Sequence, residues 1–280
     1  MLQWWESGPG LYLDATIGLG GHAKAFLQTT SDSFRLLGAD RDPEALKLSG
    51  WRLQQFGDRV RLMQANFSQL PHVLEKSNRE KLRGILFDIG ISSAQLEDPE
   101  RGFSFQKNGP LDMRMDRRQP LLANEIVHSW PESELFRIFR DFGEERHAGR
   151  IARSLVRRRQ QKGFETTVEL ADWIASQIPR RGKIHPATRI FQALRIAVND
   201  ELAHLQQGLE GLMPLLDSKG RFLVVSFHSL EDRLVKNTFR AWAAHGKGIL
   251  PLRKPMSPTH EEIRANPRSR SAKLRVFEKI

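Results

Sequence analysis

Short apolar segments alternate with amphipathic segments through the first ninety residues of the chain. The apolar segments have strand length and lie at residues 11–15, 34–39, 60–63 and 84–87, and helical spacing lies between them at about 22–28, 42–56 and 68–75. This order predicts a parallel sheet whose strands are joined by right-handed helical crossovers. The sequence therefore predicts an α/β fold.

The strand pattern then stops, and helical spacing continues until an apolar strand at residues 222–227. Helices are predicted at 132–139, 149–159, 167–177 and 188–205, with breaks at Pro131, Gly163, Pro179 to Gly182 and Pro186. The turn Ser218-Lys219-Gly220 introduces the strand at 222–227, and Ser229 is predicted to cap a helix that reaches about Ala244. Segments 249–252 and 274–277 are predicted to close the sheet as an antiparallel pair. The simplest architecture is one α/β domain interrupted by a helical insertion.

The segment from Phe87 to Asp116 has neither helical nor strand periodicity, although it is rich in Gly, Pro, Ser, Asp, Arg and Phe. It follows an apolar strand, and open α/β sheets bind their ligands in the loops that leave the carboxyl ends of strands. Long irregular connections are uncommon in compact domains unless they are functional. We therefore expect this loop to take part in binding or chemistry.

The first predicted turn, Asp14 to His22, contains Gly18, Gly20 and Gly21. These glycines allow a sharp turn and a close approach of a ligand to the amides of the following helix. Asp40 comes twenty residues after Gly20, at the end of the second strand, where a carboxylate accepts ribose hydroxyls. This combination predicts a nucleoside site, with a structural tight turn as the alternative.

The details of this turn distinguish between nucleosides. A dinucleotide fingerprint has three spaced glycines, whereas this turn reads Gly18-x-Gly20-Gly21 and follows an acidic residue, Asp14. A carboxylate there repels phosphates and attracts the sulfonium and ammonium groups of S-adenosylmethionine. The pattern therefore favours S-adenosylmethionine over the cofactor of a nicotinamide-dependent dehydrogenase. His22 either caps the helix or touches the ligand, or it is a partly exposed histidine at the helix start.

Net charge and cysteine content restrict the function further. The chain carries +11, of which residues 146–195 contribute +9 (twelve Lys or Arg against three Asp or Glu) and residues 246–280 contribute +6 (nine against three), so the remainder carries −4. Two basic regions indicate a polyanion such as nucleic acid, with solvated Arg-rich helix faces as the alternative. The chain has no cysteine, which excludes disulfides, thiolate zinc sites and thiol nucleophiles. No apolar run approaches the ~18 residues of a membrane span, and no signal peptide is present, so we expect no membrane partner and a cytoplasmic location.

Six ordered motifs resemble those of the bacterial ribosomal RNA small-subunit methyltransferase H family. They lie at Asp14 to His22, Asp88 to Leu96, Arg101 to Phe105, Gly109 to Asp116, Ser226 to Arg233 and Asn266 to Arg275. The resemblance covers nearly the whole chain. It implies a class I (Rossmann-like) S-adenosylmethionine-dependent methyltransferase domain with an inserted all-helical domain, which methylates the exocyclic N4 of a cytidine in the decoding region of 16S ribosomal RNA.

The resemblance also implies domain bounds and cofactor contacts. Residues 1–116 and 206–280 form the methyltransferase domain, and residues 117–205 form a basic, helical substrate-recognition domain. The implied contacts with S-adenosylmethionine are Gly20, Gly21, His22, Asp40, Phe67, Asp88 and Gln95. Leu19 and Ala94 depart from the family pattern in a minor way. Family members generally begin with an extra segment before strand one, where this chain has only Met1 to Gly10, which predicts either a less covered cofactor pocket or a shortened start.

Methyl transfer to a cytosine amino group needs a positioned nitrogen and an acceptor for its proton. Candidate catalytic residues are Asp88, Ser92, Ser93 and Asp112, and no metal is expected. Arg101 and Arg114 are candidate phosphate anchors, although Asp112 and Arg114 equally fit an internal salt bridge that folds the loop. Phe103 and Phe105 are candidates for stacking on the target base or for anchoring the loop in the core, and His228 either faces the pocket or has a structural role.

The expected partner is small-subunit ribosomal RNA or the assembled small subunit. The positive charge of residues 146–195 predicts that the helical insertion docks this substrate, with Arg157, Arg158 and Arg159 contributing to RNA binding. A rival hypothesis of another class is a non-catalytic RNA-binding or ribosome-assembly protein that keeps a vestigial site.

Overall fold

The computed structural model describes residues 2–5, 8–76, 80–178 and 185–280. The predicted break at Pro179 to Gly182 lies outside the described residues. The chain divides into two compact units, one made of Met1–Gly90 with Leu202–Ile280 and the other of Ile91–Glu201. The functional domain bounds at residues 117 and 205 stay a prediction.

The first unit contains a sheet of seven strands. They are β1 Gly10–Asp14, β2 Phe34–Asp40, β3 Val60–Gln64, β4 Leu82–Asp88, β5 Leu216–Ser226, β6 Gly248–Ile249 and β7 Lys273–Lys279. Their order in the sheet is β3-β2-β1-β4-β5-β7-β6, and the first five are parallel while β7 runs antiparallel to both of its neighbours. The predicted α/β sheet is confirmed.

Twelve α-helices lie in the described part of the chain. They are α1 Gly21–Thr29, α2 Pro43–Leu53, α3 Leu70–Lys76, α4 Ser93–Glu97, α5 Ala123–Ser129, α6 Glu132–Asp141, α7 Ala148–Gln161, α8 Thr167–Gln177, α9 Thr188–Asn199, α10 Glu201–Leu212, α11 Ser229–Ala244 and α12 His260–Ala265. Short 3-10 helices occur at Leu2–Trp4, Gln54–Arg59, Pro99–Arg101, Met213–Leu215 and Pro267–Ser271. Among these described helices none is both long and apolar enough to cross a membrane.

The central strands are apolar at almost every position because both faces of the sheet are covered. Along β1, Tyr12 packs in the cluster on one face and Leu13 in the cluster on the other, and both side chains are fully buried. Leu86 and Phe87 divide in the same way along β4. Burial on both faces explains why these strands read as continuous apolar runs and not as alternating ones.

Three local predictions are wrong, and each error involves the end of an element. The predicted helix at 188–205 is two helices, because Asp200 adopts a left-handed conformation (φ 45°) and ends α9. The N-cap of α11 is His228 and not Ser229, since His228 and Glu231 form a reciprocal capping box. The turn Ser218-Lys219-Gly220 lies inside β5, with Lys219 at φ 63° beside a register shift between β4 and β5.

The predicted closing pair is confirmed only in part. β7 pairs mainly with β5, from Arg221 opposite Glu278 to Ser226 opposite Lys273, and β6 adds only two residues beyond it. Helices α4, α5 and α12 were not predicted, because each is too short to display helical periodicity.

The second unit is helical, and its core consists of inward faces of α5 to α9. Leu135, Ile138, Ile151, Leu155 and Leu194 are all fully buried in this core. The irregular loop predicted before it is not wholly irregular, since α4 and the 3-10 turn at Pro99–Arg101 lie within it. The inserted helical segment is confirmed.

Asn199 fixes the end of this loop to the helical core. Its side chain accepts a hydrogen bond from the Met115 backbone amide (2.8 Å) and donates to the carbonyls of Met113 (2.7 Å) and Arg195 (2.9 Å). Asn199 is only 1% exposed, so water cannot replace these bonds.

We expect Asn199→Ala to lower the unfolding free energy by roughly 2 kcal/mol or more, because buried backbone groups lose their partners. The measurement is thermal or urea unfolding of the full chain. Gln161→Ala, at the exposed end of α7, is the control and should unfold like the wild type. Equal stability of Asn199→Ala and the control would contradict this role for Asn199.

Candidate active site

Three carboxylates lie at one edge of the sheet in the first unit. Asp14 is the last residue of β1, Asp40 of β2 and Asp88 of β4, and these strands are adjacent and parallel. The carboxyl ends of parallel strands meet at the same edge, which is where open α/β sheets bind ligands. The structure therefore brings together the three acidic residues that the sequence pattern had singled out separately.

The glycine turn after β1 is tied to Asp40. The Gly18 amide donates to Oδ2 of Asp40 (2.9 Å), and the Asp42 amide donates to Oδ1 (2.9 Å). Gly20 has φ 74°, and a β-carbon there would lie 3.2 Å from Cβ of Ser49, so a larger residue would be both strained and crowded. The turn is thus held in one conformation, and Gly21 begins α1 at the exposed surface.

Asp14 is the most perturbed acidic group at this edge. It is 2% exposed, and burial raises the pKa of its carboxyl to about 7. The nearby positive charge of His22 and a hydrogen bond from the Thr16 amide (3.1 Å) oppose this shift, whereas Asp88 and Asp40 add to it by repulsion. Burial likewise raises the pKa of Asp40, against the two backbone hydrogen bonds that it accepts. The edge therefore favours a ligand that brings positive charge.

His22 forms an ion pair with Asp88, and Nε2 lies 3.2 Å from Oδ2. The hydrogen bond to Asp88 raises the pKa of His22, although burial opposes the change. His22 is half exposed and does not cap α1, whose N-cap is Gly20. The Asp88 amide donates to Oγ1 of Thr16 (2.6 Å), so Thr16 joins the turn after β1 to the end of β4. Sequence reasoning missed Thr16, although it lies within the Asp14 to His22 motif.

Phe67 follows β3, the strand at the end of the same parallel set. Its ring is 6% exposed and packs against Phe87 with centroids 4.9 Å apart. A β-carbon on Gly208 of α10 would lie 2.9 Å from the Phe67 ring, so Gly208 allows this close packing. The contact of Phe67 with an adenine stays a prediction.

The other predicted site residues belong to the second unit. Ser92 and Gln95 form the capping box of α4: the Gln95 amide donates to Oγ of Ser92 (3.2 Å), and the Ser92 amide donates to Oε1 of Gln95 (3.0 Å). Gln95 is 7% exposed, whereas Ser93 is at the exposed surface. Ser92 and Gln95 therefore have a structural role in shaping the loop, and their catalytic and cofactor roles stay predictions.

Asp112 and Arg114 form the internal ion pair that was one of the two sequence-based interpretations. Nε and Nη2 of Arg114 lie 2.8 and 2.9 Å from the two oxygens of Asp112. Burial raises the pKa of Asp112, but the hydrogen bonds from Arg114 outweigh burial and hold that pKa below its usual range. Arg114 also donates to the carbonyls of Arg117 and Gln119.

The side chain of Arg101 also makes its contacts inside the loop. It is 2% exposed and donates to the carbonyls of Arg114 (3.1 Å) and Met115 (3.0 Å). These contacts support the structural alternative, in which the guanidinium groups of Arg101 and Arg114 hold the loop together, and a role as phosphate anchors stays a prediction.

Two further alternatives are resolved in favour of structural roles. Phe103 is 7% exposed within the core of the second unit, and Phe105 packs against His185 and Phe191 with centroids 4.8 Å apart. Both rings anchor the loop. In the first unit, His228 caps α11, with Nδ1 accepting from the Glu231 amide (3.4 Å).

The structure gives different surroundings to the three arginines predicted to bind RNA, Arg157, Arg158 and Arg159, and their RNA binding stays a prediction. Arg158 hydrogen-bonds the Lys162 carbonyl and lies over the Phe164 ring, and Arg159 donates to the Val127 carbonyl (2.9 Å). Arg157 alone of the three is exposed. Consecutive residues on a helix point in different directions, so a run of arginines does not form one surface.

Comparison with known proteins identifies the family of this chain. Residues 2–280 match the family described as the MraW methylase family. The chain is 47% identical to the ribosomal RNA small subunit methyltransferase H of Symbiobacterium thermophilum, over 97% of this chain and 91% of that protein. It is also 47% identical to the protein of that name in Geobacter sp. strain M21, over 97% and 93%. A solved rRNA methylase from Streptococcus thermophilus has a TM-score of 0.44 and 12% identity, covering 100% and 91% of the two chains. That structural likeness is too weak to carry an argument.

We expect Asp14→Asn to stabilise the ligand-free protein at pH 8, raising Tm by a few degrees. The folded-state pKa of Asp14, about 7, lies above the value near 3.9 of an unfolded chain, so the folded state loses stability as the pH rises from about 4 to about 7. The asparagine stays neutral and avoids this loss. Its advantage should therefore be small at pH 4 and largest above pH 7.

The measurement is thermal unfolding of both proteins across this pH range. Asp58→Asn, on the exposed surface, is the control for loss of one negative charge. A lower Tm for Asp14→Asn than for the wild type at pH 8 would show that the buried carboxylate is not a cost to the fold.

Proposed function

The chain belongs to the MraW methylase family, and we propose that it transfers a methyl group from S-adenosylmethionine to the exocyclic N4 of a cytidine in small-subunit ribosomal RNA. The relatives named for methylation of small-subunit ribosomal RNA support the substrate class. The cytidine, its N4 atom and the decoding region come from the resemblance of the sequence motifs. The observation that carries the proposal is the acidic edge formed by Asp14, Asp40 and Asp88.

The residues of this edge fit S-adenosylmethionine. Its sulfonium and ammonium groups carry the positive charge that three neighbouring carboxylates favour. A carboxylate offers about four acceptor positions, and Asp40 uses two of them for Gly18 and Asp42, which leaves acceptors for two ribose hydroxyls. Gly20 and Gly21 give the methionine part access to the backbone, and Phe67 is assigned to the adenine. Gln95 is retained as a further contact from the resemblance alone.

S-adenosylmethionine supplies a methyl group activated by bonding to a positively charged sulfur. The cytosine amino group is a weak nucleophile because its lone pair is delocalised into the ring, so the protein must fix the direction of attack. As the new N–C bond forms and the S–C bond breaks, the nitrogen becomes positively charged and gives up a proton. Absence of cysteine excludes the alternative in which a thiolate adds to the pyrimidine ring.

Asp88 is our choice for the proton acceptor among Asp88, Ser92, Ser93 and Asp112. It ends β4 at the acidic edge and is 28% exposed, and its partner His22 is an imidazole that can itself take up or release a proton, whereas the guanidinium beside Asp112 stays charged. Asp112 is neutralised by Arg114, Oγ of Ser92 accepts the α4 cap, and a serine hydroxyl is a poor base at neutral pH. We assign Asp112 and Ser92 to shaping the loop and leave Ser93 as a candidate contact of the cytidine.

The proposed substrate is the ribosomal RNA of the small subunit, free or assembled, and the proposed location is the cytoplasm. The second unit is assigned to RNA docking, and the first unit to cofactor binding.

The affinity for S-adenosylmethionine should increase as the pH rises through about 7 and then level off. Asp14 is ionised only above its pKa of about 7, and the ionised form attracts the cationic ligand, so binding releases a proton. Asp14→Asn should bind more weakly at pH 8 and lose this pH dependence. Isothermal titration in buffers of different ionisation enthalpy measures both the affinity and the released proton. An unchanged pH dependence in the variant would rule out Asp14 as its source.

The decisive assay is incubation of unmethylated small subunits with labelled S-adenosylmethionine, followed by mass mapping of the modified nucleotide. We expect label on N4 of one cytidine in the decoding region. Asp88→Asn should weaken cofactor binding, because one of the three carboxylates is lost, and at saturating cofactor it should still lose roughly 100-fold or more in turnover, as is typical when a general base is removed. Label on another atom, or RNA binding without transfer as in a vestigial assembly factor, would refute the proposal.

A further inference from the structure

Helix α7 has two chemically opposite faces. Ala148, Ile151, Ala152 and Leu155 are buried against the core of the second unit. The opposite face carries four exposed arginines, namely Arg146, Arg150, Arg153 and Arg157, the first in the turn that leads into the helix. We call these four residues the arginine stripe.

Three members of the stripe lie within α7. Arg150, Arg153 and Arg157 are three and four residues apart, so at about 100° per residue they fall within an arc of roughly 60° on one side of the helix. They follow about 10 Å of the helix axis at ~1.5 Å per residue, and Arg146 precedes the helix. Neighbouring members lie one turn apart, close enough to contact successive groups of an extended ligand.

The stripe lacks the acidic partners that other surface arginines of the second unit have. Arg118, Arg137 and Arg140 pair with Asp116, Glu134 and Asp141, each at 2.7 Å. In the described part of the chain, no carboxylate lies within ion-pair distance of Arg146, Arg150 or Arg157. Arg153 has only a distant contact with Glu132, at 3.6 Å between exposed side chains. Like charges one turn apart weaken a helix, so the fold itself gains nothing from the stripe.

We propose that the arginine stripe binds consecutive phosphates of the substrate RNA. This inference rests on the proposed function and names the surface that docks the RNA. Guanidinium groups present a planar fork of donors that matches phosphate oxygens, and all four members are arginine with no lysine among them. A membrane-binding helix would instead expose large apolar residues beside its basic face, whereas the apolar residues of α7 are turned into the core.

The arginines of α7 fall into two groups, one that bonds to carbonyls within the second unit and one that is exposed. Arg158 and Arg159 lie on other sides of α7 and bond to carbonyls within the second unit. Within the described residues, the stripe makes no ion pair except the 3.6 Å contact of Arg153 with Glu132. Contacts with phosphates alone carry no base specificity, so the stripe supplies affinity and orientation, and the nucleotide is selected elsewhere.

The test compares two full-length quadruple variants with equal loss of charge. One is R146Q/R150Q/R153Q/R157Q. The control is R35Q/R118Q/R137Q/R140Q, whose arginines are exposed but paired with Glu80, Asp116, Glu134 and Asp141. Binding of a labelled RNA fragment from the decoding region is measured at several salt concentrations.

The stripe variant should bind the RNA at least roughly tenfold more weakly near 0.1 M salt, and the slope of log K against log salt should decrease by about 0.7 for each lost contact, or about 3 in all. The control should keep most of the wild-type slope. Both variants should retain the wild-type affinity for S-adenosylmethionine, which verifies that they fold.

Equal effects of the two variants would overturn the proposal, because they would show a response to net charge alone. An unchanged slope in the stripe variant would also overturn it, as would binding of the stripe to phosphatidylserine vesicles in preference to RNA. If the quadruple variant does not fold, R150Q/R157Q should show half of the change in slope. Failure of the wild type to methylate the small subunit would refute the proposed function, whereas methylation by wild type and stripe variant with equal RNA affinity would refute only this inference.

Discussion

Electrostatic repulsion and burial at the carboxyl edge of the sheet are the constraint on which the site depends. Asp14, Asp40 and Asp88 end three adjacent strands, and the sheet order leaves them no way to separate. Burial raises the pKa of Asp14 and Asp40, and the backbone amides of Gly18 and Asp42 compensate only in part. Ionising these carboxylates costs folding free energy, but the ionised carboxylates attract a bound cation. The cost to stability and the affinity for a sulfonium therefore have the same origin.

The surrounding residues limit this cost without removing it. His22 pairs with Asp88 from the exposed side, and the hydroxyl of Thr16 accepts a hydrogen bond from the Asp88 amide. The glycine turn aligns amides with Asp40, which requires the positive φ angles of Gly18 and Gly20. The strands beneath are buried on both faces, so the carboxylates stand on a rigid support. Preorganisation of this kind is what methyl transfer to a weak nucleophile needs.

The sequence was sufficient for the first four strands and for the acidic residues at the ends of three of them, because apolar runs and the interval between Gly20 and Asp40 can be recognised within short segments. The sequence was insufficient where the conformation or the hydrogen bond of a single residue determines where a helix begins or ends. The αL conformation of Asp200 divides a helix whose periodicity continues across it, and His228 takes the cap that Ser229 was expected to form because Glu231 reciprocates. Neither event changes the hydrophobic pattern, which is why pattern reasoning missed both.

The arginines show most clearly that composition does not reveal the contacts of individual side chains. Arg101, Arg114 and Arg150 contribute equally to the net charge. Arg101 and Arg114 donate hydrogen bonds to carbonyls and a carboxylate inside the loop, whereas Arg150 is exposed to solvent. The donors of Arg101 and Arg114 in these bonds point to partners inside the loop and not to an external phosphate. The positive charge available to a polyanion is therefore smaller than composition implies, and on α7 helical geometry places three exposed arginines on a single face.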